Sequence, residues 1–177
     1  VAIATRPDCV NDKYLEILAE LRERRGVDVT MELGLQTINY RTLAWINRGH
    51  GLAEFIDATL RSRRFGFDVC AHIILNLPGD EMLDVVEGAK TLSALDIQQV
   101  KLHALYVVKG TRLAELYEQG ELALGSCDEY VERAVVFLEH LAPGIAVQRL
   151  IGRAPEANTL FTNWSKGWWK IREMIET

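Results

Sequence analysis

Three pairs of polar residues interrupt segments that are otherwise apolar: Glu32 and Gln36, His72 and Asn76, Lys101 and His103. The spacing within each pair is even, so on a strand both members point to one face. Burying such groups without partners costs on the order of 1–3 kcal/mol each, so they need one another or a ligand. A face that gathers carboxylate, amide, imidazole and ammonium groups near C-terminal strand ends can hold a polar cofactor or move protons, and α/β proteins build their sites there. Two plainer readings stand beside this one. Lys101 and Glu32 form a buried ion pair with His72 and His103 as hydrogen-bonded core residues, or Lys101 alone is the Schiff-base amine of an aldolase-type barrel enzyme. Agreement among three strands favours a ligand cavity.

Period and capping signals show which elements carry these residues. Residues 1–5 read as a strand, and Asn11 or Asp12 caps a helix that places Tyr14, Leu15, Leu18 and Leu21 at helical spacing and closes at Gly26. Val27, Val29, Met31, Leu33 and Leu35 alternate as a strand; a helix-like stretch follows over 37–47, then a break at Gly49-His50-Gly51 and a helix ending near Gly66. A strand over 67–77 stops at Pro78-Gly79, a helix spans 81–95, and a strand spans 100–108. Ser126 with Glu129 is a capping box opening a helix that runs to Leu141, Pro143-Gly144 is a turn, and a fifth strand covers 145–150. Strands apolar on both parities predict helices on both faces. Alternation of strand and helix implies right-handed crossovers and a parallel sheet, either open and doubly wound or part of a barrel. A complete eight-unit barrel needs about 250 residues, so in 177 residues any barrel is partial. Trp164, Trp168, Ile171 and Ile175 share one side of a closing helix, which is expected to dock on the body.

Composition narrows the classes. With 49% hydrophobic and 25% charged residues the chain can bury one core, which excludes disorder, collagen and coiled coil. A net charge of -5 argues against a nucleic-acid footprint over the whole surface. No apolar run nears the ~20 residues that span a bilayer, and no leader segment opens the chain, so the expectation is a cytoplasmic protein with no membrane contact. Cys9, Cys70 and Cys127 are odd in number and far apart, which reads as reduced thiols, no disulfide framework and no metal site. The clusters Arg22, Arg24, Arg25 and Arg61, Arg63, Arg64 read as solvated helix ends complementing the dipole. Trp164, Trp168 and Trp169 with Lys166, Lys170 and Arg172 leave open a non-catalytic module that binds a partner or RNA.

The segments that end the strands carry a resemblance. Thr5-Arg6-Pro7-Asp8, the run from Glu32 to Thr37, Ile46-Asn47-Arg48-Gly49-His50, the run from His72 to Gly79, and Val100-Lys101-Leu102-His103 leading to Gly110-Thr111 together resemble the radical S-adenosylmethionine (SAM) superfamily. The order and spacing are similar to the branch of the Elongator catalytic subunit and oxygen-independent coproporphyrinogen oxidase, and most of all to the YhcC-like bacterial group. The resemblance covers nearly the whole chain. It implies an α/β fold, a partial parallel (β/α) barrel of TIM type belonging to a (β/α)₆ radical SAM core. Residues 1–152 would supply the third strand onwards, and 153–177 a C-terminal helical extension with its Trp-rich helix.

The same resemblance assigns candidate cofactor-binding residues. Gln36 falls where relatives contact the SAM ribose, Arg48 where some hold its carboxylate, and His72 at a further ribose position. The turn from Leu75 through Asn76 to Gly79 falls where backbone approaches adenine, and Glu32, Lys101 and His103 line the cavity, the last two as a candidate substrate wall. Asn76 stands where this turn usually has Gly, so its side chain is expected to crowd the adenine. The family's CxxxCxxC loop, whose thiolates hold a [4Fe-4S] cluster, has no counterpart in these residues, nor has the Gly-rich methionine-binding motif. A full-length member cleaves SAM to a 5′-deoxyadenosyl radical that abstracts a substrate hydrogen. This chain alone is expected to lack the cluster and be inert, with small-molecule or RNA substrate unspecified. It is also expected to dimerise or aggregate through an exposed strand edge.

Overall fold

Met31, Leu33 and Leu35 are fully or almost fully buried while Glu32 and Gly34 between them face the opposite way, and this two-residue period sets the architecture. The computed structural model describes residues 1–153 and 156–177 of the chain. In order they form β1 (Ala2–Thr5), α1 (Asp12–Arg25), β2 (Thr30–Gln36), α2 (Tyr40–Trp45), α3 (Leu52–Arg64), β3 (Asp68–Ile74), α4 (Met82–Ala94), β4 (Gln99–His103), β5 (Val107–Val108), α5 (Arg112–Glu118), α6 (Cys127–His140), β6 (Ala146–Arg149), β7 (Thr159–Phe161) and α7 (Trp168–Glu176). Five parallel strands lie in the order β1-β2-β3-β4-β6, each beside its predecessor in the sheet, and β5 pairs antiparallel with β7 in a separate small sheet. A parallel sheet that always advances in one direction, with helical crossovers, is the wall of a (β/α) barrel left open, so the chain is a partial barrel of TIM type.

The helical layer covers one face only. Phe55, Ala58, Thr59 and Ser62 of α3, Val85, Gly88, Ala89 and Leu92 of α4, and Tyr130, Ala134 and Phe137 of α6 recur three or four residues apart and are buried. They meet Leu33, Leu35, Val69, Ala71, Val100 and Leu102 of the sheet in one core. The expectation of helices on both faces is therefore corrected. Glu32, Gly34, Cys70, His72, Gln99, Lys101 and His103 occupy the other, inner face, and their polarity is what an open concave wall tolerates.

Local signals explain most boundaries. The Asn11 side chain accepts from Tyr14 N, Gly26 closes α1 in the left-handed region at φ 62°, and the Ser126–Glu129 capping box opens α6. Three boundaries differ from expectation. The stretch expected as a helix over 37–47 is helical only from Tyr40, because the Asn39 side chain caps it by accepting from Arg41 N and Thr42 N. The strand expected over 100–108 ends at His103, and Val107–Val108 turn away to pair with β7. The closing helix starts at Trp168, since Asn163, Trp164 and Ser165 form a turn with φ of 47°, 50° and 57°. Ile171 and Ile175 are buried in the core, so α7 does dock, but Trp164 packs separately against Tyr130 and Phe161. Of the extension expected over 153–177, residues 154 and 155 lie outside the described residues.

The arginine clusters are not simply solvated. Arg22 at the end of α1 donates to the carbonyls of Phe65 (3.1 Å) and Gly66 (2.8 Å) just after α3. Arg63 at the end of α3 donates to the Leu95 carbonyl just after α4 (2.7 Å), and Arg61 reaches the Val10 carbonyl (2.6 Å). Each cation satisfies carbonyls that a helix end leaves unpaired.

Candidate functional site

Glu32 sits on the inner face of β2 with little of its side chain exposed, where a carboxylate needs compensation. It receives it from two neighbouring strands: Lys101 Nζ of β4 lies 2.5 Å from Oε1, and His72 Nε2 of β3 lies 3.0 Å from Oε2. Burial raises the Glu32 carboxyl, but its bonds to Lys101 and His72 outweigh this and hold it below the ordinary value, ionised. The imidazoles of His72 and His103 stack with centroids 5.1 Å apart. Burial lowers both histidines, His103 to about 4, so both are neutral near pH 7. His103 Nε2 is buried without a hydrogen-bond partner, and Nδ1 lies 2.9 Å from where a Cβ on Gly152 would stand.

Gly34 is the meeting point of the second group. Arg48 Nη2 donates to its carbonyl at 3.0 Å, while Arg48 Nε is buried and unpartnered. A Cβ on Gly34 would stand 2.6 Å from both Arg48 Nη2 and Gln36 Nε2. The register of β2 against β3 slips between Gly34 and Gln36, and Gln36 takes φ 75°, which turns its amide back over Gly34. In register, Gly34 lies opposite His72 and His72 opposite Lys101. Gln36, Arg48, His72, Glu32, Lys101 and His103 are thus gathered on the C-terminal half of one face.

Asn76 and Leu75 are placed differently. Both lie beyond the last residue of β3, and Asn76 Oδ1 accepts from Leu105 N at 2.7 Å, tying this turn to the segment after β4. The turn is further held by Arg133 of α6, which donates to the carbonyls of Leu75 (3.0 Å) and Asp80 (2.8 Å). Asp80 has no counterpart in the sequence reading. It is buried beside Thr37 and Thr42, with Oδ1 unpartnered, and burial raises its carboxyl. An acidic residue directly after Pro78-Gly79 was its only signal. His50 is likewise buried with Nε2 unpartnered, next to Arg48. Cys70 is fully buried and its thiol is pushed up to about 11 by burial, which suits packing and not a nucleophile. A groove of about 690 Å³ runs between β6 and α7, and Arg149 on its wall also acts on His72 and His103.

The neutral histidines predict a pH dependence. His103 is harder to protonate folded than unfolded, so between pH about 6.5 and about 4 the unfolded chain binds more protons and stability falls as the pH drops. Melting temperature should decline across that window, and His103→Gln should flatten the decline; an equal slope in the variant would contradict the assignment.

Comparison with known proteins agrees with this geometry. Residues 1–92 match the family model of the radical SAM superfamily, and residues 97–177 that of the radical SAM C-terminal domain. A protein of Methanocaldococcus jannaschii, MJ0486, is 40% identical over 99% of this chain and 54% of its own length. Escherichia coli YhcC is 33% identical over 96% of the chain and 54% of its length. The chain thus spans about half the length of these relatives. The solved structure of Methanocaldococcus infernus Elp3 with an N-terminal deletion superposes with a TM-score of 0.81 at 22% identity, covering 99% of this chain and 41% of that one, and shows the shared fold. With its family-model matches along nearly the whole chain, this protein belongs to the radical SAM superfamily, in the branch of YhcC.

Proposed function

We propose that this chain forms the SAM-binding and substrate-facing wall of a radical SAM enzyme. The observation that carries the reading is the cradle at Gly34, where a missing side chain lets the Gln36 amide and the Arg48 guanidinium come together beside His72, the register partner of Gly34. SAM fits these residues: an amide and a neutral imidazole suit ribose hydroxyls, and a guanidinium with a free Nε suits a carboxylate. The [4Fe-4S] cluster does not fit this chain, since Cys9 is exposed near β1, Cys70 faces the inner wall and Cys127 opens α6. Its thiolates are assigned to the remainder of a longer protein. Bound together, SAM and cluster supply one-electron, hydrogen-abstracting chemistry. The chain's own residues supply orientation. Arg48 is fixed by the Gly34 carbonyl, and Glu32 is held ionised by Lys101 and His72 so that no stray proton is released beside the nucleoside.

Lys101 does not favour the Schiff-base alternative, because its Nζ is engaged by Glu32. The outer edge of β1, with Ala2 and Ala4 exposed, is proposed to pair with further strands of the longer protein, and in the isolated chain with a second copy.

Gly34→Ala tests the reading. The atoms it displaces are ends of flexible side chains, so the fold survives with its melting temperature nearly unchanged, while saturable binding of S-adenosylhomocysteine, followed by calorimetry, weakens at least tenfold, about 1.4 kcal/mol. Equal affinity in wild type and variant would overturn the proposal.

A further inference from the structure

The inner wall divides into two halves, and the half formed by β4 and β6 has chemistry that the SAM reading does not use. β6 pairs with β4 so that Val147 lies opposite Val100 and Arg149 opposite Lys101; Gln148 is the extra residue of a bulge. Without the bulge Gln148 would stand opposite Lys101. The extra residue instead carries Arg149 into register beside the inner-face cluster, and bulges commonly re-aim a side chain in this way next to a site. The Gln148 side chain bonds Gln99, another inner-face residue of β4, which holds the bulge to that face.

Apart from Arg48 at the Gly34 cradle, charge accounting on this wall leaves one cation over. Glu32 is neutralised by Lys101, and His72 and His103 are neutral. Arg149 makes no ion pair or side-chain hydrogen bond among the described residues, and its charge acts on His72, His103 and Cys70. On the same face, two residues beyond Lys101 on β4, His103 Nε2 is buried and without a hydrogen-bond partner, while Nδ1 faces the backbone of Gly152, where no side chain stands. A neutral imidazole carries one N–H, and in the tautomer that places it on Nε2 this unpartnered nitrogen is a donor. An unpaired guanidinium on the same face as a buried N–H donor matches an oxyanion, which takes a charged bond from the first and a short neutral one from the second.

We infer that Arg149 and His103 form a binding site for an oxyanion, carboxylate or phosphoryl, at one end of the substrate. Calling that anion the substrate's rests on the proposed function; the site itself does not. The stacked His72 ring backs His103 and fixes its plane, and the Glu32–Lys101 pair keeps the lysine from competing for the anion.

The test is a titration of this chain, labelled with ¹⁵N at histidine, with inorganic phosphate and separately with acetate at pH 7 and constant ionic strength, following the imidazole nitrogens of His103. The expected result is a saturable shift of His103 Nε2 that Arg149→Gln weakens at least fivefold, with the melting temperature kept because Arg149 is exposed. A response to phosphate alone identifies a phosphoryl group, to acetate alone a carboxylate, and to both the shared oxyanion. No saturable shift with either anion, or the same shift in Arg149→Gln, would overturn the inference. A parallel titration with S-adenosylhomocysteine separates the two proposals: its failure with anion binding intact removes the nucleoside reading and leaves this site standing, and the converse outcome removes only this site.

Discussion

Glu32→Ala is expected to cost about 3 kcal/mol of stability, the low end of what is lost when one partner of a buried pair is removed. The pair with Lys101 is largely shielded, with side-chain exposures of 10% and 15%, and losing the carboxylate leaves an ammonium on the wall with no anion beside it and the Arg149 cation opposite. Water reaches this open face more easily than a closed core, which is why the low end applies. For a chain of this size the loss corresponds to a fall of roughly 6–12 °C in melting temperature. His72 loses its partner too, so its ring should show greater mobility against His103. The double variant Glu32→Gln with Lys101→Met should recover most of the stability, because it removes the orphaned charge. A thermal scan of the unmodified chain and both variants checks this, and a double variant as unstable as Glu32→Ala would show that the pair is not the cause.

Arg133→Met should be comparably severe while leaving Gln36, Arg48 and His72 untouched. The guanidinium spans from α6 to two carbonyls, Leu75 and Asp80, that bracket the turn after β3. Hydrogen bonds from a charged donor are worth about 1.5–3 kcal/mol each, and two lost together, partly regained from water, give about 3 kcal/mol. Arg133→Lys should rescue little, since an ammonium cannot form the planar fork that serves both carbonyls. Hydrogen exchange should locate the loosening at 75–80. A loss spread evenly over the chain would contradict a local clamp.

Much of the frame was legible because its signals are local. Asn11, Gly26 and the Ser126–Glu129 box mark real helix ends, and Leu33, Val69 and Leu102 alternate with the residues that face inward. Parity counting placed Glu32, His72, Lys101 and His103 on one face for a sound reason, since all four lie inside regular pleat. It failed where the pleat ends. Gln36 follows a register slip and adopts a left-handed backbone, so only the fold brings it over Gly34; Asn76 lies past β3 and bonds Leu105. Arg149 was invisible for the same reason, because a bulge cannot be counted from sequence. Asp80, Arg133 and the arginine clamps depend on contacts between residues 30–60 positions apart, which no local pattern encodes.

The clamps at Arg22 and Arg63 each join a helix end only to the end of the next main helix, and among the described residues no such arginine clamp spans two steps. Mechanically the outer layer is a row of hinged staves pinned at one rim. Strain applied at any stave passes to its immediate neighbour before reaching the rest, so the wall can flex its curvature progressively, as a solenoid does, without any stave leaving its place.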